Sequence, residues 1–343
     1  MVFRSLLWPI SWLHMVFLFF RHVFYTLSFL PSKKGAVRTF VIGNVKMGGT
    51  GKSPVTINVL DAMLNLNQEV AFLSRGYGRS TKGFQLIHSQ SVPSEVGDEP
   101  LMIAQRFPKI TAAVSEDRLI GIEKLAQRDS TLQWVVLDDA FQHRKLVPDC
   151  ALLLTKFNDL YADDFVFPVG GLRDLQFRAQ FAHAVGVTHV PSELCTEETA
   201  NDLRKRLKLK SKQKIILFHV KYETPKPIFG HFQWQHAAPS FVFAGLANNT
   251  AFFQKGMQLS RAVVCKSFRD HHNYSQTDLD QILHEWRTFD PNQTQILTTE
   301  KDAVKVRYIL KDKEIPIFYL PLKLEVGFGE QVLIDLITMT TRV

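Results

Sequence analysis

Lys52 and Ser53 close the run Gly48-Gly49-Thr50-Gly51-Lys52-Ser53, and a lysine beside a hydroxyl after a glycine-rich turn suits a phosphate ligand. Glycines let successive backbone N–H groups face inward around an anion, and a helix N-terminus behind them adds its dipole. An apolar run, Thr39 to Ile42, leads into the turn, and Val55, Val59, Leu60, Met63 and Leu64 follow at helical spacing. Strand, loop and helix in that order form a phosphate-binding loop, so the chain is expected to bind a nucleoside triphosphate. Lys52 would reach the β- and γ-phosphates and Ser53 would ligate Mg²⁺. Lys46 stands where such loops usually open with glycine. The nucleotide contacts expected are Lys46, Gly48, Gly49, Thr50, Gly51, Lys52 and Ser53.

Trp134-Val135-Val136-Leu137 feeds Asp138 and Asp139, an apolar strand ending in carboxylates. Such a pair holds Mg²⁺ opposite the loop hydroxyl, directly or through water, although alone it is often a helix cap. Gln142 and His143 follow about a turn later. Gly97-Asp98-Glu99-Pro100 opens a helix, where Asp98 either caps it or accepts the proton of an attacking hydroxyl. Asp270-His271-His272 is a poor metal pair, because adjacent histidines do not face one point. His271 is either solvated or orients a carboxylate across a cleft. Thr298-Thr299-Glu300-Lys301-Asp302 reads as a capped helix start, and Gly170-Gly171-Leu172-Arg173 sets an arginine beside a flexible pair, suited to clamping phosphate. Thr155-Lys156-Phe157-Asn158 imitates a guanine-reading motif but ends in Asn158 where an aspartate is required, so guanine specificity is unsupported.

These residues need a scaffold. Val70 to Leu73, Trp134 to Leu137, Ala151 to Leu154 and Ala184 to Val187 are short apolar runs separated by helical segments, with a further short strand at Val114. That alternation predicts an α/β fold, a mainly parallel sheet with helices on both faces. Ligands of such sheets sit beyond the carboxyl ends of the strands, where the polar motifs fall. The pattern breaks over the basic run Arg204 to Lys214 and Pro225, Pro227 and Pro239, then restarts at Phe241, Ala262, Ile296 and Ile317. The expected division is a hydrophobic segment 1–37, a phosphate-loop domain 38–210, a linker with strand character 211–238, and a smaller α/β domain 239–343. A closing helix is expected over Gln331 to Thr341.

The chain has 343 residues, 45% hydrophobic and 22% charged, in keeping with about two globular domains. Its three cysteines are scattered, which suggests reduced thiols. Of the formal charge of +8, the seven basic residues of Arg204 to Lys214 supply nearly all. That run reads as a solvated helix face or connection, and no stacking platform or finger spacing supports nucleic acid. Ser5 to Phe20 carries no formal charge but contains Pro9 and His14, and Arg21 interrupts it before Val23 to Leu30. Trp8, Trp12, Phe17, Phe20 and Phe24 beside Arg4, Arg21, Lys33 and Lys34 describe a helix lying in a membrane interface. A spanning helix and one buried against the protein are the alternatives. A nucleotide site requires the cytoplasmic face.

As a set, these motifs resemble the tetraacyldisaccharide 4'-kinases (lipid A 4'-kinases). The resemblance adds Ser74-Arg75-Gly76-Tyr77-Gly78, Asp117-Arg118, Phe243-Ala244-Gly245 and Ala303-Val304-Lys305, and it runs in order over most of residues 40–305. Ser53 in place of threonine and Ala140 in place of glycine are mild departures that remove no catalytic group. The resemblance implies transfer of the γ-phosphate of ATP to the 4'-hydroxyl of a tetraacylated glucosamine disaccharide 1-phosphate, with Mg²⁺, at the inner-membrane surface of a Gram-negative bacterium. It implies two α/β domains with the site between them, and Asp98 and His271 as base and partner. Lys52 and Arg173 complete the expected catalytic set; Ser53, Asp138 and Asp139 hold metal; Arg75, Tyr77, Glu99, Arg118, Gln142 and His143 meet substrate. The expected partners are the lipid disaccharide and the membrane, without nucleic acid, and the chain is expected to be a monomer. The rival reading is a membrane-associated phosphate-loop ATPase or nucleotide switch acting on a protein or lipid partner.

Overall fold

A computed structural model describes residues 7–236, 238–290, 293–310 and 314–339, with only the backbone of Ala262 and Val263. Arg4 and Ser5, and the end of the expected closing helix at residues 340–341, lie outside the described residues. The first half carries β1 (Lys33–Lys34), β2 (Arg38–Asn44), β3 (Val70–Ser74), β4 (Gln85–Leu86), β5 (Thr111–Val114) and β6 (Trp134–Asp138). Then come β7 (Leu146–Val147), β8 (Cys150–Lys156), β9 (Ala184–Thr188), β10 (Lys214–Tyr222) and β11 (Lys226–Pro227). The chain ends through β12 (Pro239–Ala244), β13 (Arg261–Ser267), β14 (Gln295–Thr299), β15 (Ile317–Leu320) and β16 (Leu322–Phe328). The main helices are α1 (Trp8–Thr26), α2 (Lys52–Asn65), α3 (Asp98–Arg106), α4 (Arg118–Arg128) and α5 (Glu197–Arg206). They continue as α6 (Thr250–Leu259), α7 (Gln276–Arg287), α8 (Glu300–Ile309) and α9 (Glu330–Thr338).

Among the described residues a nine-stranded sheet runs β16-β10-β9-β8-β2-β6-β3-β5-β4. All its pairings are parallel except β10 with β16 and β4 with β5 at the two edges. Its central strands β2, β3 and β6 are buried on both faces, as all-apolar runs require. On one face Phe40, Ile42, Phe72 and Val136 meet α2, α3 and α9; on the other Val41, Leu73 and Val135 meet α1, α4 and α5. Each large apolar side chain so buried contributes roughly 1.5–3 kcal/mol. A five-stranded sheet, β11-β15-β14-β12-β13, makes a smaller lobe with α6, α7 and α8. The basic run splits as expected into the last turn of α5, where cations suit the helix dipole, and the connection to β10.

The expected domain boundaries need correction. Residues 214–222, assigned to a linker, form a strand of the large sheet, and β16 with α9, assigned to the small domain, also belong to the large sheet. The chain leaves the large sheet after Tyr222 and re-enters at Leu322, and those two residues are partners in the β10–β16 ladder. The small lobe is therefore an insertion between two adjacent antiparallel strands. β16 pairs here because Leu324 fits beneath α2, where it is wholly buried, and Asn58 donates to its carbonyl at 2.6 Å.

Helix α1 has its sides reversed relative to a soluble amphipathic helix. Ser11, Leu18 and His22 face the protein, while Ile10, Trp12, Leu13, Phe17, Phe20 and Phe24 are exposed. Pro9 sits in the first turn, where its missing N–H costs nothing. Ser11 donates to the Val166 carbonyl at 2.6 Å, His14 contacts that of Phe167 at 3.0 Å, and His22 pairs with the buried Asp174. Phe165, Phe167, Phe177 and Phe181 extend the exposed aromatic surface. Among the described residues no helix is long and apolar enough to cross a membrane.

Candidate active site

Gly51 caps α2 with φ of 81°, a left-handed turn that glycine adopts without strain, and a Cβ there would lie 2.6 Å from Leu324. Gly48 is also left-handed, at φ 101°, with open space around its Cα. Thr50 is buried and its hydroxyl accepts from Asn44 at 2.7 Å, fixing the loop to the end of β2. The Lys52 ammonium lies 4.0 Å from Asp139. Arg173 grips Asp139 through both nitrogens of its fork, one bond at 3.0 Å, and also reaches Asn44. Asp139 has a left-handed φ of 47°, which aspartate tolerates better than most residues. Burial would raise its carboxyl, but the Arg173 hydrogen bond and the Lys52 charge hold it below its ordinary value.

Asp138 differs. It is fully buried, one carboxylate oxygen has no hydrogen-bond partner, and burial with Glu99 and Asp139 nearby pushes its carboxyl up to about 7. Ser53 donates to Glu99 at 2.6 Å. Asp98 and Glu99 are consecutive at the start of α3, so the two carboxylates serve different neighbours. Asp98 meets the small lobe: His271 Nδ1 at 3.1 Å and Lys305 Nζ at 3.1 Å, with Lys301 at 4.0 Å. Burial alone would raise Asp98; the His271 hydrogen bond and the two lysine charges outweigh it and hold it well below the usual carboxylate range. The hydrogen bond to Asp98 raises His271, against burial and Lys301. A cleft of about 640 Å³ opens between the lobes, with Tyr77, Asp98, His271 and Lys305 in its wall.

Most of the residues singled out in the sequence converge. The carboxyl ends of β2, β3, β5 and β6 bring Lys52, Arg75, Arg118, Asp138 and Asp139 to one edge, facing the loop after β13. Arg118 is buried and donates to the carbonyls of Ser115 and Glu116; burial and the charge of exposed Arg75 bring it down to about 10. Tyr77 stands edge-on to His271 at 5.9 Å. His143 is brought down to about 4 by burial and Arg118. Gln142 bonds through its side chain to Asn44 and through its carbonyl to Arg21, tying α1 to the loop. Lys46 is otherwise committed: Asp159 and Asp164 hold its ammonium, which raises it despite burial. These ion pairs fasten segment 159–173 to the phosphate loop, a structural role for the lysine at the usual glycine position. Sequence reasoning gave no function to Lys301 and Lys305, whose signal is their i,i+4 spacing in the first turns of α8.

A phosphate loop beside an Asp–His pair that spans to a second lobe defines a nucleotide-dependent phosphotransferase. Comparisons agree. The sequence profile of a family described as Tetraacyldisaccharide-1-P 4'-kinase matches residues 3–341. The chain is 35% identical to a tetraacyldisaccharide 4'-kinase of Flavobacterium johnsoniae, over 93% of this chain and 92% of that protein. A protein of the same name from Cytophaga hutchinsonii is 33% identical, over 99% and 96%. A crystal structure from Aquifex aeolicus, described as the "apo" form of LpxK in complex with ATP, superposes with a TM-score of 0.77 at 26% identity, covering 98% of this chain and 99% of that one. The chain belongs to the tetraacyldisaccharide-1-P 4'-kinase family.

Proposed function

We propose that the chain transfers the γ-phosphate of ATP to the 4'-hydroxyl of a tetraacylated glucosamine disaccharide 1-phosphate, with the nucleotide on the phosphate loop and the sugar in the interlobe cleft. The observation that carries this reading is the Asp98–Glu99 pair. One carboxylate bonds to Ser53 of the phosphate loop, and its neighbour bonds to His271 across the cleft. Nucleotide chemistry and acceptor chemistry are thus one residue apart.

Asp98 holds the acceptor hydroxyl by accepting its hydrogen bond. As the bond from the sugar oxygen to the γ-phosphorus forms, the proton passes to Asp98 and the bond to the bridging oxygen of ADP breaks. A carboxylate with so strong a preference for its charge is a weak base, which suits a loose transition state where the proton leaves late. His271 orients Asp98 through their hydrogen bond. Lys52 neutralises charge growing on the transferring group and on the leaving oxygen. Ser53 and Asp138 fit Mg²⁺, since both are hard oxygen donors and Asp138 has a buried oxygen without a partner. Bound there, Mg²⁺ would supply charge neutralisation to the phosphates. Arg173 holds Asp139 beside Lys52, and Arg75 and Arg118 bring further positive charge to that edge.

Turnover decides between kinase and ATPase. ATP consumption is expected to require the lipid disaccharide and to match phosphorylated lipid one for one. ADP release at an equal rate without acceptor points instead to an ATPase.

The reversed helix α1 supports attachment at the cytoplasmic face of the inner membrane, where ATP is at hand, with its outer face in the interface and its inner stripe on the protein. Changing Trp12, Phe17, Phe20 and Phe24 to serine is expected to release the protein from anionic phospholipid vesicles, since each buried aromatic contributes roughly 1.5–3 kcal/mol at best. ATP binding should persist, because Ser11 and His22 keep their partners. Deleting residues 1–30 is a blunter test that strips His22 from Asp174. Intact protein removed from vesicles by high salt alone would mean that attachment is electrostatic.

A further inference from the structure

Lys301 is the second residue of α8, and a cation in the first turn opposes the helix dipole. Proteins break such local rules mainly at functional positions. Its ammonium is largely buried, and three acceptors surround it: His271 Nε2 at 3.0 Å, Glu99 at 3.4 Å and Asp270 at 3.5 Å. The contact with His271 is a hydrogen bond, and the two carboxylates are ion-pair partners of a group that can only donate. Helix-start lysines that merely decorate a surface have no such fit.

We infer that Lys301 is a positioning residue for the reaction, fixing His271 as the tautomer whose Nδ1–H points to Asp98. An ammonium only donates, so its bond to Nε2 requires that nitrogen to carry the lone pair. Nδ1 then carries the hydrogen and donates to Asp98 Oδ2 at 3.1 Å. The charged groups facing the ring are Asp98 and Asp270, which favour the imidazolium, and Lys301, which opposes it. Lys305 adds its charge at Asp98, 3.1 Å away. Burial would lower Lys301, but Glu99, Asp98 and Asp270 raise it above its ordinary value, so the lysine keeps its proton and donates to Nε2 at 3.0 Å. A ring without Lys301 can turn or exchange tautomers, presenting a lone pair to Asp98 where a donor is needed. Because Glu99 also accepts from Ser53, Lys301 links the orientation of the dyad to the phosphate loop. The inference rests on the reading of Asp98 and His271 given above.

The first test uses the unaltered protein with ¹⁵N-labelled histidine. At neutral pH, His271 is expected to show a pyridine-type resonance at Nε2 and a pyrrole-type resonance at Nδ1. The reverse pattern, or an imidazolium, overturns the assignment. In Lys301→Met, kcat is expected to fall roughly 30-fold or more, with KM for ATP and lipid within about threefold, and the two tautomers to mix. In Lys301→Arg, which restores a donor, much of kcat should return. In a His271→Ala background, Lys301→Met should cost less than about threefold more, because both act through one hydrogen bond. Full additivity, or normal kcat in Lys301→Met, overturns the role. If Asp98→Ala and His271→Ala keep their turnover, the reading of the dyad has failed; if they lose it while Lys301→Met does not, only this inference has.

Discussion

Lys52→Ala is expected to lower kcat/KM roughly a thousandfold or more while the protein stays folded. The loss corresponds to about 4 kcal/mol of transition-state stabilisation, the scale of one preorganised electrostatic group in a site closed to water. Lys52 is the first residue of α2, 4.0 Å from Asp139, and its side chain is mostly shielded. Thr50 and Gly51, which hold the loop in place, are untouched by the change. Near-normal turnover by a folded Lys52→Ala protein would remove the phosphate-loop assignment.

Asp98→Ala should cost about 10²- to 10⁴-fold in kcat with little change in KM for ATP, because its proposed role is to take the acceptor's proton and not to bind the nucleotide. His271→Ala should behave alike. The double variant should lose far less than the product of the two losses, since the residues act through one contact at 3.1 Å. Strict additivity would argue that Asp98 only begins a helix and His271 only ends a loop. Unfolding is a separate outcome, recognised by circular dichroism. It is a realistic concern at Asp98, whose loss would leave Lys305 buried with only the His272 carbonyl at 3.0 Å.

The parts of the site that were legible in the sequence are local. Gly48 to Ser53 must turn, bind and start a helix within a few residues, and Asp138 follows directly on its strand, so composition alone betrays both. What was not legible depends on distant partners. The sequence assigns Glu99 to the substrate, and its bond from Ser53, 46 positions away, is not visible there. The sequence reads Lys46 as a nucleotide contact, and its ion pairs with Asp159 and Asp164, from the segment after β8, are not visible there. The domain boundary failed for a related reason. Leu322 to Phe328 is an ordinary strand, and nothing local tells which sheet it will join. Only the pocket beneath α2 that receives Leu324 settles it.

The ladder from Tyr222 to Leu322 has a consequence for how the chain assembles. Pairing β10 with β16 in an unfolded chain means closing a loop of roughly a hundred residues, with an entropy cost that grows as the logarithm of its length. The small lobe has its own apolar core, built on Phe241, Phe243, Trp286 and Ile296. Once formed, it holds β11 against β15, a few residues from each end of the insertion, and so delivers β10 and β16 to one another nearly in register. The large sheet then completes its edge by closing a short loop instead of a long one. A lesion in the small lobe's core, remote from every phosphate contact, would reach the nucleotide site by delaying the arrival of Leu324 beneath the helix that carries Lys52.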